Sequence, residues 1–144
     1  MQLTPLCQMD LSYTDGFHLL RPYDGESGLG WGVGTGTATG ERLHGAVQWS
    51  NHPTRRGDGA MLPSARGVIT THEGPEVIFD LSGRTVWVDS GGVSTGRQLL
   101  MALFEAEEEP YTWLNDTMCV VEGGIDPLTL VVHLEIHECR SDIS

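Results

Sequence analysis

Apolar and polar residues alternate along most of this chain, which is the period of a half-buried β-strand. In one such segment Leu43, Val47 and Trp49 alternate with His44 and Gln48. The pattern predicts eight strands, over residues 2–13, 31–39, 42–50, 65–72, 76–81, 85–88, 118–122 and 128–138. Residues 51–64 and 90–96 are predicted to be loops, because the first contains glycine, proline and aspartate and the second is rich in glycine and serine.

The segment 97–109 fits two periods. A helical face would contain Leu99, Leu100, Leu103 and Phe104. Alternation fits as well, with Leu100, Ala102 and Phe104 on one side and Leu99, Met101 and Leu103 on the other. A strand that is apolar on both faces would have this composition. The residues alone leave both interpretations open.

Eight to ten short strands with few or no helices predict an all-β fold, either an antiparallel barrel or a sandwich. The 144 residues are enough for one domain, residues 1–144, of the size of a small calycin-like barrel. Such barrels fill their interior with side chains or hold one small ligand. Gly30, Gly32, Gly34 and Gly36 share one face of a strand. They indicate strong curvature, close backbone approach or room for a ligand.

The net charge is −12, from 20 acidic and 8 basic side chains. Nucleic acids and anionic membranes need Lys or Arg to neutralise phosphate, so neither is expected as a partner. Residues 1–10 lack the basic and apolar regions of a signal peptide. Cys7, Cys119 and Cys139 are odd in number and widely spaced, which favours buried reduced thiols and a cytoplasmic location.

Residues 92–96 match the GxSxG nucleophile elbow, and Asp126 and His133 follow in the order of a hydrolase triad. The chain lacks the parallel βαβ units that build a hydrolase sheet. A turn rich in Ser and Gly is the simpler interpretation.

His133, Glu135 and His137 would share one face of a strand and so could hold a divalent cation. The alternative is a polar, solvent-facing side of an amphipathic strand. We favour this alternative, because no further ligand is clearly paired with the three residues. We therefore predict neither a metal nor another cofactor.

The loop at residues 51–64 is unusual in an acidic chain, because it carries two of the eight arginines and follows the aromatic Trp49. Loops at the mouth of a barrel commonly carry function. Its candidate substrate-binding residues are Asn51, His52 and Arg56, and its candidate acid is Asp58. The competing interpretation is an Asp-Gly turn with exposed arginines.

Phe104-Glu105, followed by Tyr111-Thr112-Trp113-Leu114-Asn115, resembles the signature of the domain-of-unknown-function 3237 family of small, mainly bacterial proteins. Residues 36–45, Trp49 with Asp58-Gly59, and residues 66–74 resemble further elements of that family in the same order. Glu73-Gly74 departs from its usual Asp-Gly. The resemblance implies a calycin-like antiparallel β-barrel, with residues 97–106 as a strand. It also implies self-association as a homodimer or higher homo-oligomer.

We hypothesise an enzyme without a cofactor that acts on a small aromatic or polyketide-like molecule in the barrel. The expected reactions are proton transfers, namely isomerisation, cyclisation, hydration or elimination. Asp58 would be the general acid or base, with a pKa raised if the barrel mouth excludes water, and Arg66 would hold an anionic group. Trp49, Tyr111 and Trp113 would stack against the ring and Asn115 would orient a carbonyl. The alternative is a non-catalytic binding or carrier protein that uses the same pocket.

Overall fold

The computed structural model describes residues 1–143 and shows a closed antiparallel β-barrel. Eight long strands form its wall, in the order β1, β10, β9, β8, β7, β6, β3 and β2. Pairing of β1 with both β10 and β2 closes the sheet, so no long edge is left unpaired. The predicted fold class is confirmed.

The strands are β1 (Gln2–Leu20), β2 (Gly28–Thr39), β3 (Gly45–Asn51), β4 (Thr54–Arg55), β5 (Met61–Leu62), β6 (Ser64–Thr71), β7 (Glu76–Ser90), β8 (Val93–Ala106), β9 (Met118–Ile125) and β10 (Val131–Arg140). The one other element is a 3₁₀ helix, η1 (Thr112–Asp116).

The segment with two periods is a strand, as the family resemblance implied, because β8 pairs along its whole length with β7 and over residues 96–103 with β9. Other parts of the structure differ from the sequence prediction. The loop predicted at 90–96 is reduced to the two residues between β7 and β8. The two strands predicted at 76–81 and 85–88 form the single strand β7. The loop predicted at 51–64 contains β4 and β5, two short strands that bridge β2 to β7. A two-residue strand is too short to show a period.

Side chains that face the interior form one core. Its largest fully buried members are Phe79, Phe104, Met9, Leu43, Ile69, Leu114, Leu134 and Ile136. One end of the barrel, which we call the closed end, is where β8 ends and η1 follows. Tyr111 and Leu114 are buried there. The opposite end, where β3 ends and β8 begins, we call the open end.

Cys7 and Cys119 are buried, and Cys139 is half-buried. Burial raises the pKa of the Cys7 and Cys119 thiols to about 12, which keeps both protonated at neutral pH. Of the helices within residues 1–143, none has the length and apolar character needed to cross a membrane.

Candidate functional site at the open end of the barrel

A cavity of about 200 Å³ lies at the open end, and we call it the mouth cavity. Its lining is mostly apolar and aromatic, formed by Tyr13, Phe17, Leu19, Asn51, Pro53, Arg55, Met61, Pro63, Thr85, Trp87, Gln98, Ile125, Pro127 and Leu130. A smaller pocket of about 40 Å³ lies deeper in the barrel and shares Tyr13, Asn51, Pro63 and Gln98 with it. The two cavities therefore adjoin at these four residues, three of which have polar side-chain groups.

The glycines of β2 make room for the aromatic part of this lining. A Cβ added to Gly32 would lie 2.5 Å from the Tyr13 ring, and one added to Gly30 would lie 2.6 Å from the Phe17 ring. A Cβ on Gly34 would lie 2.7 Å from Trp49. The glycine face of β2 thus lies against the aromatic side chains at the entrance to the barrel.

Two hydrogen-bonded pairs hold the polar groups of the cavity in place. The Asn51 amide nitrogen donates to the Tyr13 hydroxyl over 3.0 Å, and the Asn51 oxygen accepts from the Ser64 backbone N–H. The Thr85 hydroxyl donates to the Gln98 side-chain oxygen over 2.7 Å. Because the Tyr13 hydroxyl accepts the hydrogen bond from Asn51, its own proton remains available to another acceptor. Burial raises the pKa of Tyr13, against the opposing effect of the Asn51 hydrogen bond, so the phenol stays protonated.

Arg55 is the one charged residue among the lining residues described within 1–143. Its guanidinium pairs with Glu26 at the rim. Its Nε is buried and has no hydrogen-bond partner within the described part of the chain. A buried donor without a partner costs about 1–3 kcal/mol, and more for a charged group. A ligand oxygen would remove that cost.

The structure brings two of the predicted site residues to the interior of the barrel. Asn51 lines both cavities, and Trp49 lines the deeper one. Trp49 packs edge-on against Tyr13, with ring centroids 4.5 Å apart, and donates from Nε1 to the Thr35 carbonyl. Their role in binding stays a prediction.

Asp58 and Arg56 lie outside the lining of the mouth cavity. Arg56 donates two hydrogen bonds to Asp58, of 3.0 and 2.7 Å, in the exposed turn between β4 and β5. These bonds, with that from the Ala60 backbone N–H, lower the pKa of Asp58 to about 2. The raised pKa expected of this carboxyl is wrong, because Arg56 neutralises it locally and water surrounds it.

Arg66 lies on the outer face of the barrel, where it makes two hydrogen bonds to Asp80. It lines an open outer groove of about 1000 Å³, which also includes Asn115 and several carboxylates. This larger groove is a poor candidate for the anionic ligand expected at Arg66, because its carboxylates repel anions and Asp80 already binds the guanidinium.

Tyr111, Trp113 and Asn115 belong to the closed end. The Asn115 amide accepts from the Ala106 N–H and donates to the Ala106 carbonyl, over 2.7 and 2.8 Å, which ties η1 to the end of β8. Arg42 stacks over Trp113, 4.7 Å from its ring centroid. None of these three residues lines the mouth cavity or the deeper pocket, which Asn51 and Trp49 line.

His52 is near the open end but lies outside the lining. Its ring stacks on Trp31, with centroids 5.3 Å apart, and its Nε2 is 3.1 Å from the Ser50 hydroxyl. The sequence prediction missed Tyr13, Arg55 and Gln98 as a group. Arg55 could have been found from its place in the Arg-rich loop, but Tyr13 and Gln98 have no distinguishing local pattern.

The other sequence motifs lie outside the lining of the mouth cavity. Ser94 is exposed on β8. His133 makes a 2.7 Å contact with Asp10 and a 3.5 Å contact with Glu135 on the outer surface. Within residues 1–143 no group of three His, Cys, Asp or Glu side chains has a geometry that could hold a metal ion.

No family model matches the chain, and no curated protein matches it in sequence. Solved structures share its fold. A β-barrel-like protein from Acinetobacter baumannii AYE aligns with a TM-score of 0.85 at 16% identity, over 96% of each chain. A protein of unknown function from Clostridium acetobutylicum aligns with a TM-score of 0.82 at 19% identity, over 97% of this chain and 100% of that one.

A further structural neighbour is described as an enzyme from Penicillium herquei. It aligns with a TM-score of 0.67 at 19% identity, over 97% of this chain and 98% of the other. At these identities the likeness shows a shared fold, a small β-barrel, and carries no function with it.

Proposed function

We propose that this protein binds a small aromatic molecule that carries a carbonyl or phenolate oxygen in the mouth cavity. The observation that carries the proposal is Arg55, the one charged residue among the described lining residues, whose buried Nε has no hydrogen-bond partner within residues 1–143. A ligand oxygen at this donor would form a charge-assisted hydrogen bond shielded from water.

The rest of the cavity suits the same ligand. The free proton of the Tyr13 hydroxyl offers a second donor, and Phe17 and Trp87 offer aromatic surface for a ring. The volume of about 200 Å³ is below the roughly 300–1,000 Å³ of typical drug-sized sites. The proposed ligand is therefore one ring with a short substituent.

Binding is tested with acetophenone and with ethylbenzene, which has the same ring without the oxygen, in saturation-transfer NMR titrations. We expect acetophenone to bind more tightly. Arg55→Met should weaken acetophenone binding about tenfold, the usual value of a hydrogen bond to a charged group, and leave ethylbenzene binding unchanged. Arg56→Met is the matched control, since Arg56 is adjacent in sequence and outside the cavity. Equal losses in both variants, or no preference for acetophenone, would exclude this site.

A second candidate function is proton-transfer catalysis without a cofactor at the same cavity. It is favoured by one observation: the Tyr13 hydroxyl accepts from Asn51, so its own proton is available to a ligand carbonyl. The Penicillium herquei neighbour, described as an enzyme, supports the possibility of chemistry on this fold. In this proposal Tyr13 supplies the proton in place of Asp58, which is ionised and exposed.

Exchange of the acetophenone methyl protons with D₂O tests this chemistry by NMR. A proton donated to the carbonyl by Tyr13 would acidify the methyl group, and solvent water would accept a methyl proton to give the enol. Deuteration of the enol carbon from D₂O, with return of the oxygen proton to Tyr13, would complete the exchange. We expect Tyr13→Phe to lower the protein-catalysed rate about a hundredfold, within the usual range for general acid catalysis, and Asp58→Asn to leave it unchanged. The opposite result would return the role to Asp58. No exchange above the solvent rate would leave binding as the function.

A further inference from the structure

The outer face of β8 is apolar in its centre and oppositely charged at its ends. Its outward residues are Arg97, Leu99, Met101, Leu103 and Glu105, while the residues between them face the core. Leu99, Met101 and Leu103 are 68%, 43% and 49% exposed. This outward face explains why the segment is apolar at both periods in the sequence.

Apolar side chains on the flanking strands widen this surface. Met118 pairs with Leu103 and Val120 pairs with Met101 across β9, while Ile78 and Val86 are exposed on β7. We call these residues, with the outward face of β8, the β8 patch. Contiguous exposed apolar surface of this kind commonly marks an interaction site.

Along β8 this surface is complementary to itself. Arg97 and Glu105 lie four residues on either side of Met101, and Leu99 and Leu103 lie two residues on either side. The relevant two-fold axis lies in the plane of the interface, perpendicular to β8, and passes over Met101. It reverses the strand direction and places β8 face to face with β8 of a second copy. Arg97 then faces Glu105 of that copy, and Leu99 faces Leu103. We propose that two copies of this chain pack through the β8 patch as a two-fold symmetric homodimer.

The neighbouring strand β7 gives an independent check, because the same axis passes through Ser82, which pairs with Met101. Arg84 pairs with Leu99 and Asp80 with Leu103, so the axis places Arg84 over Asp80 of the second copy. Val86 is likewise placed over Ile78. Opposite charges and apolar pairs therefore match on β7 and β8, as an isologous interface requires. On β9 the same axis places Glu122 over Met118 of the second copy, so the match is confined to the other two strands.

The arginine inventory agrees with this arrangement. Six of the eight arginines form an ion pair within residues 1–143, at Arg21, Arg42, Arg55, Arg56, Arg66 and Arg140. Arg84 and Arg97 form none within that part of the chain. The two-fold axis would supply Arg97 with Glu105, and Arg84 with the Asp80 carboxylate that Arg66 of that second copy already contacts. Sheets also pack face to face with aligned strands, which permits this contact.

The association state is measured by sedimentation equilibrium over a range of protein concentrations. We expect a dimer whose Kd rises about a hundredfold or more in Met101→Asp, because the two substituted carboxylates would oppose each other on the axis. The matched control is Val33→Asp, an apolar residue that is 36% exposed on β2, four strands away in either direction around the barrel. It should dimerise as the parent does. A monomeric parent, or equal loss in both variants, would overturn the proposal.

Charge reversal tests the register of the interface and avoids changes to the core. Arg97→Glu and Glu105→Arg should each raise the dimer Kd about tenfold, since each makes two repulsive contacts. The double variant rebuilds both pairs with the signs exchanged, so the dimer should return. Failure to recover in the double variant would overturn the proposed axis. None of these residues lines the mouth cavity, so acetophenone binding should be unchanged in all of them.

Discussion

At the scale of single residues, the open end depends on aromatic side chains that occupy the space beside the glycines of β2. The glycines of β2 have no side chain at the positions where the rings of Tyr13, Phe17 and Trp49 pack. Two of these rings line the mouth cavity, and the third lines the pocket below it. Of the three explanations that the glycine strip allowed, close backbone approach is observed directly at Gly34 and Gly36. An added Cβ there would lie 2.1 Å from the Ser12 carbonyl oxygen and 2.2 Å from the Asp10 carbonyl oxygen.

Gly32→Ala tests this dependence. The new Cβ would lie 2.5 Å from the Tyr13 ring, so the ring must shift. We expect a loss of about 1–3 kcal/mol in the free energy of urea unfolding, the usual effect of overpacking, together with weaker acetophenone binding. Gly124→Ala on β9 is the control, because its Cβ would lie no closer than 3.5 Å to any neighbour. Equal stability in the two variants would show that the Tyr13 ring is not confined by Gly32.

At the scale of elements, a period of two located most of the strands, because each long strand has one face in the core and one in solvent. A period of two does not identify a strand where this contrast between the two faces is missing. β8 is apolar on both faces, and β4 and β5 have only two residues each. The predicted end of β1, at residue 13, was also too early. The last residues of β1 pair with β2 beyond an irregularity between Thr14 and His18.

The candidate site was less predictable than the fold, because the sequence does not show which charges neutralise each other. Arg56 and Asp58 are two residues apart and form a closed pair in one turn. Arg66 meets Asp80 only through the pairing of β6 with β7. The Asn115 side chain is already hydrogen-bonded to the backbone at the end of β8. Only tertiary contacts of this kind show which groups keep unused hydrogen-bonding capacity, and these are Arg55 and Tyr13.

At the scale of the whole molecule, the net charge of −12 acts against compactness. Most of the arginines are already paired, so the excess carboxylates repel one another across the surface. This repulsion weakens as the pH falls towards the isoelectric point of about 4.6. One histidine adds to the same trend, because a hydrogen bond to Asp10 raises the pKa of His133, with a further contribution from Glu135.

Stability should therefore be greater at pH 6.0 than at pH 8.5. A histidine whose pKa is raised on folding stabilises the protein fully below its unfolded pKa of about 6.5, and this contribution is lost as the pH rises through the higher folded value. His133 is about half exposed, so solvent screening keeps its share below about 1 kcal/mol. Asp10→Asn should reduce the difference between urea unfolding free energies at the two pH values. Asp89→Asn removes the same charge from an exposed site on β7 and should preserve more of that difference. If the two variants retain the same pH dependence, net charge alone accounts for it and the Asp10–His133 pair contributes nothing measurable.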